Sequence, residues 1–288
     1  MTTQGQQPFL SIVIPAYNEA QRLPRSLQVI STFLQEAGWS DQTEVIVVDD
    51  GSTDQTIASV QPFTDHWPQL IVIPMPHHGK GAAIKAGVKH ATGDFVFFCD
   101  TDLSMPINEI VKFLPPQGPD SQIIIGSREV AGAKRYNEPV YRHVMGRIFN
   151  RLVQLLVLPG IEDTQCGFKC LQRGVAATLC AEQRLTGMSF DVELLALAKL
   201  HGYTITEIPI NWYHERDSRV RPLQDSLNMV REVFAMRRRL KNLPYSPARM
   251  NANRAVTYAQ QRRSGRRSRP SRAQYSSLYA IPGHAAKA

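Results

Sequence analysis

The sequence predicts an α/β fold in which helices flank a mostly parallel central sheet. Short apolar runs bounded by polar residues recur through the first half of the chain. A strand that is buried on both faces, as in a parallel sheet, has this pattern. Segments with helical periodicity separate the runs, and strands that alternate with helices indicate βαβ units. Together these observations favour the α/β class.

The first half of the chain contains four predicted strands. The run at 95–99 is the clearest of them, because it is continuously apolar and ends abruptly in two carboxylates. Ser52 or Thr53 is expected to cap the helix that begins near residue 54, since hydroxyl side chains accept hydrogen bonds at helix starts. In order, the predicted elements are strand 10–15, helix 23–37, strand 44–49, the helix from about 54, strand 70–73, helix 82–90 and strand 95–99.

The second half continues the alternation with longer helices. Gly202 is expected to end one of them, because glycine readily adopts the left-handed conformation that follows a helix. The last helix has an amphipathic pattern, so one of its faces should pack on the sheet. In order, the predicted elements are strand 122–126, helix 140–156, helix 191–200, strand 204–210 and helix 223–240.

Composition limits the class of protein. The 288 residues are 43% hydrophobic, which is ordinary for a globular chain with a sizeable core. The four cysteines show no paired spacing, so we expect reduced thiols and a cytoplasmic location. No apolar run approaches the length that spans a bilayer, and the first residues do not resemble a signal peptide. We therefore expect a protein without a transmembrane segment.

The charge is unevenly distributed. From Arg237 to Ala288 there are 13 Lys and Arg and no acidic residue, although the whole chain carries 33 basic and 25 acidic residues. Such a segment with little apolar periodicity is expected to be disordered. Contact with anionic lipid, at about 1 kcal/mol per basic residue, would give the protein a peripheral membrane association. Nucleic acid, which we do not favour, and a merely solvated tail are the alternatives.

Carboxylates follow several of the predicted strands. Asp49 and Asp50 end the strand at 44–49, and Asp100 and Asp102 follow the strand at 95–99. Ligands of open α/β sheets bind just beyond the carboxyl ends of the strands. Two carboxylates that lie there are costly unless a cation lies between them, so Asp100 and Asp102 are candidates for a divalent metal that bridges two phosphates. Asp49 is a candidate acceptor for a base or ribose.

Lys80 adds a positive charge at the same edge. It lies between Gly79 and Gly81 at a predicted helix start, where backbone N–H groups favour phosphate. The spacing is not that of a Walker A loop, and the chain has no G-x-G-x-x-G sequence. Lys80 therefore predicts a phosphate contact of another type, with a solvated lysine as the alternative.

These motifs in combination resemble glycosyltransferase family 2, whose members have a GT-A fold, a Rossmann-like sheet. The resemblance rests in the first half on VIPAYNE at 13–19, VVDDGSTD at 47–54, GKG at 79–81 and the D-x-D at 100–102. In the second half, GSR at 126–128, DTQCGFK at 163–169, FDVEL at 190–194 and EIPINW at 207–212 are similar to the dolichyl-phosphate β-glucosyltransferase branch, with dolichyl-phosphate mannose synthases as relatives. The resemblance implies a catalytic domain at 10–241, between a flexible segment at 1–9 and a tail at 242–288.

The resemblance also implies roles for individual residues. The donor side would hold the nucleotide-sugar through Pro15, Tyr17, Glu19, Asp49, Asp50, Lys80 and Asp100. The metal, Mg²⁺ or Mn²⁺, would bind Asp100 and Asp102. The acceptor would be held by Arg128, Arg142, Asp163, Gln165, Ser218 and Arg219. Asp102, Asp191 and Arg128 would be catalytic, with Asp191 available as a base if the acceptor is a hydroxyl.

The activity implied is metal-dependent, inverting transfer of a sugar to a polyprenyl or dolichyl phosphate at the cytoplasmic face of a membrane. The sugar is expected to be glucose from UDP-glucose. A transferase that uses GDP-mannose, a family 2 transferase with a non-lipid acceptor, and a non-catalytic nucleotide-sugar-binding protein remain as alternatives.

Overall fold

The computed structural model describes residues 7–214 and 222–241, and side chains at 222–227 are not part of that description. Its strands are β1 Leu10–Ala16, β2 Thr43–Asp50, β3 Leu70–Met75, β4 Phe95–Phe98, β5 Ile123–Ser127, β6 Lys134–Tyr136, β7 Lys169–Gln172, β8 Ile205–Pro209 and β9 Asn211–Tyr213. Its α-helices are α1 Leu23–Glu36, α2 Thr56–Thr64, α3 Lys80–His90, α4 Val140–Leu156, α5 Arg173–Glu182, α6 Phe190–Leu200 and α7 Pro222–Leu240.

A seven-stranded sheet in the order β3-β2-β1-β4-β7-β5-β8 forms the centre. Because successive side chains of a strand point to opposite faces, β1 contributes Ile12 and Ile14 to one core and Val13 to the other. The first core is covered by α1 and α2, and the second by α3 to α7. The predicted class, a mostly parallel sheet flanked by helices, is confirmed.

The first four strands are paired in parallel, with β1 between β2 and β4. In this register Ala16 of β1 lies opposite Asp49 of β2, and Val13 lies opposite Phe98 of β4. The carboxyl ends of these three strands therefore meet at one edge of the sheet. The aspartates at the end of β2 and those after β4 are brought to the same edge, as the sequence predicted.

Strand β7 was not predicted. It is antiparallel to both of its neighbours, β4 and β5, and it connects the first four strands to β5 and β8. It is only four residues long and begins with a lysine, so it lacks the longer apolar run that marks the other central strands. The helix α5 that follows it was also missed.

Other predicted elements differ in detail. The helix predicted near residue 54 begins at Thr56, and neither Ser52 nor Thr53 caps it, so that prediction was wrong. Asp54 instead accepts a hydrogen bond of 2.9 Å from the backbone of Thr56. The strand predicted at 204–210 is β8, and β9 follows it after Ile210 in a small parallel sheet with β6.

Within the described residues, no helix combines the length and the apolar composition that crossing a membrane requires. The segments predicted to be flexible or disordered, residues 1–6 of the N-terminus and the tail at 242–288, lie outside the description.

Candidate active site

Asp49 is the penultimate residue of β2, opposite Ala16 at the end of β1. The residue is buried, and its Oδ2 accepts a hydrogen bond of 3.1 Å from the backbone N–H of Ser52. Its Oδ1 is also buried and has no hydrogen-bond partner among the described residues. A buried acceptor without a partner is costly, so this oxygen is suited to receive an N–H or O–H group of a ligand.

Asp50 has a different position from its neighbour. Its two carboxylate oxygens accept hydrogen bonds from the backbone N–H groups of His78 and Gly79, at 2.8 and 2.9 Å. Nδ1 of His77 lies 2.8 Å from the same carboxylate. Asp50 therefore holds the loop that precedes α3, and His77 in that loop stacks on the exposed ring of Tyr17 with ring centroids 4.2 Å apart.

The turn after β1 is joined to the turn after β2 through Asn18. Its backbone has a φ of 54°, a left-handed conformation that asparagine tolerates better than most residues. The Asn18 Oδ1 accepts hydrogen bonds from the backbone of Thr53 and Asp54, at 2.7 and 3.2 Å. Asn18 was not assigned a role from the sequence, although asparagine in a turn is a signal for such bonding.

Two of the other predicted donor residues are less open to a ligand. Glu19 is buried, and its carboxylate binds Arg22 through two hydrogen bonds of 2.6 Å. Its backbone N–H donates to Thr56 at 2.7 Å, which fixes the start of α1 against α2. Pro15 is half-buried near the end of β1, beside the same edge.

Asp100 and Asp102 follow β4, beside the start of α3. Nζ of Lys80 lies 2.6 Å from Asp100 Oδ1. Asp102 Oδ1 accepts a hydrogen bond of 2.9 Å from the backbone N–H of Ser104. Burial and the nearby Asp100 carboxylate raise the pKa of Asp102, although Ser104 and Lys80 oppose the increase. Two acidic groups that repel one another in this way are suited to share a cation.

The loop before β7 approaches Asp100 closely at Gly167. A Cβ atom on Gly167 would lie 2.0 Å from Oδ2 of Asp100, much closer than van der Waals contact allows. Only glycine at this position permits the observed position of the carboxylate. The edge where β1, β2 and β4 end, with Asp49, Asp100 and Asp102, is predicted to hold the sugar donor, and we call it the donor edge. The DTQCGFK motif contributes to the donor edge through its backbone.

Asp191 lies on the first turn of α6 and is paired with a residue that the sequence did not reveal. Its Oδ1 lies 2.7 Å from Nζ of Lys169, whose side chain is fully buried. Lys169 also donates a hydrogen bond to the carbonyl of Cys166. Burial raises the pKa of Asp191, while the positive charges of Lys169 and Lys80 oppose this effect. A single lysine within the apolar FKCL sequence was the available signal.

Glu193, two residues further along α6, points away from Asp191 and has structural partners of its own. Its carboxylate is buried and accepts hydrogen bonds from the backbone of Arg184 and Leu185, at 3.0 and 2.6 Å. It also forms an ion pair with Arg239 near the end of α7. Glu193 therefore attaches α7 to α6.

Arg128 and Asp163, both predicted on the acceptor side, bind one another. The guanidinium Nε and Nη2 lie 2.7 and 2.9 Å from the Asp163 carboxylate, and the backbone N–H of Arg128 donates to the same group at 3.0 Å. Although burial alone would raise the pKa of Asp163, the charge of Arg128 and its hydrogen bonds lower it. The guanidinium also lies 5.5 Å from the ring centre of Trp212.

Glu207 on β8 holds the loop that carries Asp163. Its carboxylate accepts hydrogen bonds from the backbone N–H groups of Glu162 and Asp163, at 2.7 and 2.9 Å. Burial raises the pKa of Glu207, and these two hydrogen bonds oppose the increase. Glu207 was recognised in the sequence only as part of a motif.

The remaining acceptor-side residues are less closely grouped. Arg142 lies on the first turn of α4, and its buried Nε has no hydrogen-bond partner in the described part of the chain. Nε2 of Gln165 lies 3.9 Å from the sulfur of Met229 on α7. Ser218 and Arg219 lie outside the described residues.

The fit of a divalent cation depends on Asp100 and Asp102. No group of three or more His, Cys, Asp or Glu side chains arranged for a metal occurs among the residues described. Mg²⁺ and similar ions are commonly held by only one or two carboxylates, with phosphate and water oxygens as the other ligands. The two aspartates, with the raised pKa of Asp102, fit that kind of site.

Comparisons with known proteins identify the family of the chain. The profile described as glycosyl transferase family 2 matches residues 11–179. A dolichyl-phosphate beta-glucosyltransferase of Drosophila melanogaster is 34% identical over 242 residues, which cover 78% of this chain and 73% of that protein. One of Trichomonas vaginalis is 32% identical over 227 residues, covering 75% and 69%. The human enzyme of the same name is 31% identical, covering 80% and 75%.

Solved structures agree on the fold. Glucosyl-3-phosphoglycerate synthase from Mycobacterium tuberculosis, crystallised with UDP, superimposes with a TM-score of 0.59 at 22% identity, over 83% of this chain and 82% of that one. The same enzyme has been crystallised with Mn²⁺, UDP and glucosyl-3-phosphoglycerate. The resemblance inferred from the motifs and the GT-A fold are both confirmed. The chain is a glycosyltransferase and belongs to glycosyl transferase family 2.

Proposed function

We propose that this glycosyltransferase moves glucose from UDP-glucose to a dolichyl or other polyprenyl phosphate, with inversion at the anomeric carbon and with a divalent cation. The observation that carries the proposal is the meeting of Asp49, Asp100, Asp102 and Lys80 at the carboxyl ends of adjacent parallel strands. The choice of acceptor and sugar is supported by the names of the relatives. The choice of nucleotide and metal is supported by the UDP and Mn²⁺ that were crystallised with the structurally similar glucosyl-3-phosphoglycerate synthase.

The nucleoside would bind at the edge formed by β1 and β2. The free Oδ1 of Asp49 would accept a hydrogen bond from the base or the ribose, and a charged acceptor makes that contact strong. The stacked rings of Tyr17 and His77 lie beside the same turns and would border the nucleoside. Pro15 would complete this border, whereas Glu19 and Asp50 would act by holding the turns.

The diphosphate would bind over Asp100, Asp102 and Lys80. Asp100 and Asp102 would hold Mg²⁺ or Mn²⁺, and the cation would neutralise charge on the departing diphosphate. Lys80 pairs with Asp100 and lies at the start of α3, where the helix dipole also favours a phosphate. The close approach of Gly167 would keep Asp100 directed at this position.

The acceptor phosphate would approach from the side of Arg128 and Arg142. An oxygen of the acceptor forms the new bond to the anomeric carbon, and the bond from that carbon to the diphosphate oxygen breaks with its electron pair leaving on UDP. A phosphate monoester is already ionised at neutral pH, because its second pKa is about 6, and so no protein base is needed. Asp191 would then act as a fixed charge between Lys80 and Lys169.

A transfer assay tests this proposal. The full chain is incubated with Mn²⁺, polyprenyl phosphate and either radiolabelled UDP-glucose or radiolabelled GDP-mannose, and the label that enters the organic phase is measured. We expect label from UDP-glucose and its loss when the cation is chelated. Label from GDP-mannose would instead support a mannosyltransferase. Label that stays in water-soluble products would indicate a non-lipid acceptor and contradict the proposal.

The extent of the catalytic domain and the membrane location are also proposals. We infer that the domain spans 10–241, because β1 begins at Leu10 and α7 ends at Leu240. Peripheral association with the cytoplasmic face of a membrane is consistent with a lipid acceptor and with the basic composition beyond Arg237. Salt-dependent sedimentation with anionic vesicles would test the contribution of that basic segment.

A further inference from the structure

The outer face of α4 carries large apolar side chains that nothing in the described structure covers. Val140 and Leu155 are each 78% exposed, and Ile148 is 67% exposed. Single exposed apolar residues are common, but a contiguous set of them marks an interaction surface. We call this set the α4 stripe: Val140, Tyr141, Val144, Ile148 and Leu155.

Helical geometry places the α4 stripe on one side. With 3.6 residues per turn, its five members fall within an arc of about 100°. The opposite side of α4 contributes Phe149 and Val153 to the core. Asn150 donates a hydrogen bond to the carbonyl of Glu162 and accepts one of 3.1 Å from the Thr164 hydroxyl. The helix is therefore fixed with its apolar stripe facing outward.

Helix α4 itself carries charge of a single sign, although Glu129 and Glu162 lie beside it. Helix α4 contains no Asp or Glu, and it contains Arg142, Arg147 and Arg151. Helical spacing puts Arg151 within the arc of the stripe and Arg147 at its border. Arg147 also lies 3.0 Å from Glu129, so it is partly neutralised.

Helix α7 packs against α4 and extends this pattern. Its exposed residues Arg231, Phe234 and Arg238 recur at helical spacing and therefore share one face, and the exposed Lys241 directly after the helix continues this spacing. This exposed face again combines basic groups with an apolar side chain. Apolar side chains beside arginine and lysine are typical of helices that lie in the interface of a membrane.

The α4 stripe is also connected to the acceptor side of the site. Asn150 binds the loop whose Asp163 holds Arg128, and Arg142 begins the same helix. A lipid whose chain lies along the stripe would thus have its phosphate near these arginines. This connection rests on the proposed function, whereas the apolar and basic character of the surface does not.

We propose that the α4 stripe, with the exposed face of α7, docks on an anionic lipid bilayer. The apolar side chains would enter the acyl region, and the basic groups would meet lipid phosphates. The surface suits its other conceivable occupants less well. A second copy of the same face, or the basic segment beyond Arg237, would bring like charges together.

Binding of the full chain to phosphatidylcholine vesicles, with and without phosphatidylglycerol, tests the proposal. Ile148→Ser combined with Leu155→Ser should reduce partitioning about tenfold or more, because these side chains lose their burial in lipid. The loss should occur at both low and high salt, since apolar contacts are not screened. The matched control is Ile57→Ser with Ile71→Ser, two exposed isoleucines of α2 and β3.

A second measurement locates the contact. All four native cysteines are buried, so an environment-sensitive label attached to Ile148→Cys is selective. Its emission should shift to the blue on anionic vesicles, and that of a label on Ile57→Cys should not. Unchanged partitioning of the double variant, or an unshifted label, would overturn the proposal. So would a dimer that the double variant converts to monomers while vesicle binding persists.

The outcome is separable from that of the proposed transfer reaction. With a short-chain, water-soluble prenyl phosphate, the double variant should keep the wild-type transfer rate, and only transfer to long-chain acceptor in vesicles should fall. If neither protein transfers glucose to any prenyl phosphate, the proposed function fails while the vesicle measurements still decide on the docking surface.

Discussion

The donor edge and the acceptor side of the site use charged residues in opposite ways. At the donor edge, Asp49 keeps one oxygen that no group in the described ranges 7–214 and 222–241 binds, and Asp102 lies beside a second carboxylate. On the acceptor side, Arg128 and Asp163 neutralise one another. The charges of Asp49 and Asp102 are unfavourable until a ligand or cation binds. The charges of Arg128 and Asp163 are already compensated without a ligand. The donor edge is therefore suited to bind charge, whereas the Arg128–Asp163 pair holds a fixed shape.

The largest expected effect is on catalysis at the donor edge. Asp102→Asn should lower transfer about 10³-fold at saturating donor, because the proposed cation, which would offset charge on the leaving diphosphate, would lose a ligand. Initial rates over a titration of Mn²⁺ would measure it. Asp94→Asn, at the other end of the same strand, is the control and should be close to wild type. Near-normal turnover of the Asp102 variant would contradict the proposal that the donor edge, unlike the acceptor side, binds a cation.

The next largest effect is expected at Lys169, a buried cation that is paired with Asp191. Lys169→Met should reduce the free energy of unfolding by about 3 to 5 kcal/mol, because Asp191 is left as a buried charge without its partner. Denaturant unfolding would measure the loss. Adding Asp191→Asn should restore much of the stability. If the double variant is as unstable as the single one, the side chains matter for packing rather than for charge.

Gly167→Ala tests how closely the donor edge depends on the loop before β7. The new methyl group would meet Asp100, so the carboxylate must shift, and a displacement of this size should cost about 10²-fold in transfer. Stability should change much less than activity. Gly174→Ala is the matched control, because a Cβ there meets nothing within 4 Å. Equal rates for the two variants would contradict the proposed role of Asp100.

The ion pair between Arg128 and Asp163 on the acceptor side should make the stability of the protein depend on pH. The pKa of Asp163 is lowered in the folded protein, so its ion pair stabilises fully above the usual aspartate pKa of about 4 and is lost as the pH falls through the folded value. Asp163→Asn should therefore cost about 2 kcal/mol near neutral pH and progressively less in acid. Chemical unfolding at several pH values would measure the difference. If the difference in unfolding free energy between the wild type and the Asp163 variant does not change with pH, the charge of Asp163 does not contribute to stability.

The sequence predicted the donor edge better than the acceptor side, for physical reasons. Strands β1, β2 and β4 are buried on both faces and so appear as apolar runs. Helix α4 was predicted with the bounds that it has, Val140–Leu156. The ends of such strands must meet at one edge, which brings Asp49 and Asp100 together without further information. Partners such as Lys169 and Asp191 come from separate elements, and no periodicity connects them.

Local bonding caused the smaller errors. Asp54 serves the start of α2 where Ser52 or Thr53 was expected, because the hydroxyl of Ser52 accepts a hydrogen bond from the backbone of Asn18. The strand β7 was missed because four residues that begin with lysine carry little signal. The charge of that lysine is compensated only by the tertiary structure.

Strand β7 also joins the two parts of the central sheet, β1 to β4 on one side and β5 with β8 on the other. In the described structure, β5 and β8 reach the first four strands only through Lys169–Gln172. The strand that provides this continuity also carries the counter-ion of Asp191 at its first position. Insertions in surface loops are usually tolerated, but we expect an insertion at either end of β7 to disrupt the sheet. It would uncouple the half of the sheet that carries the donor edge from the half that carries the acceptor side.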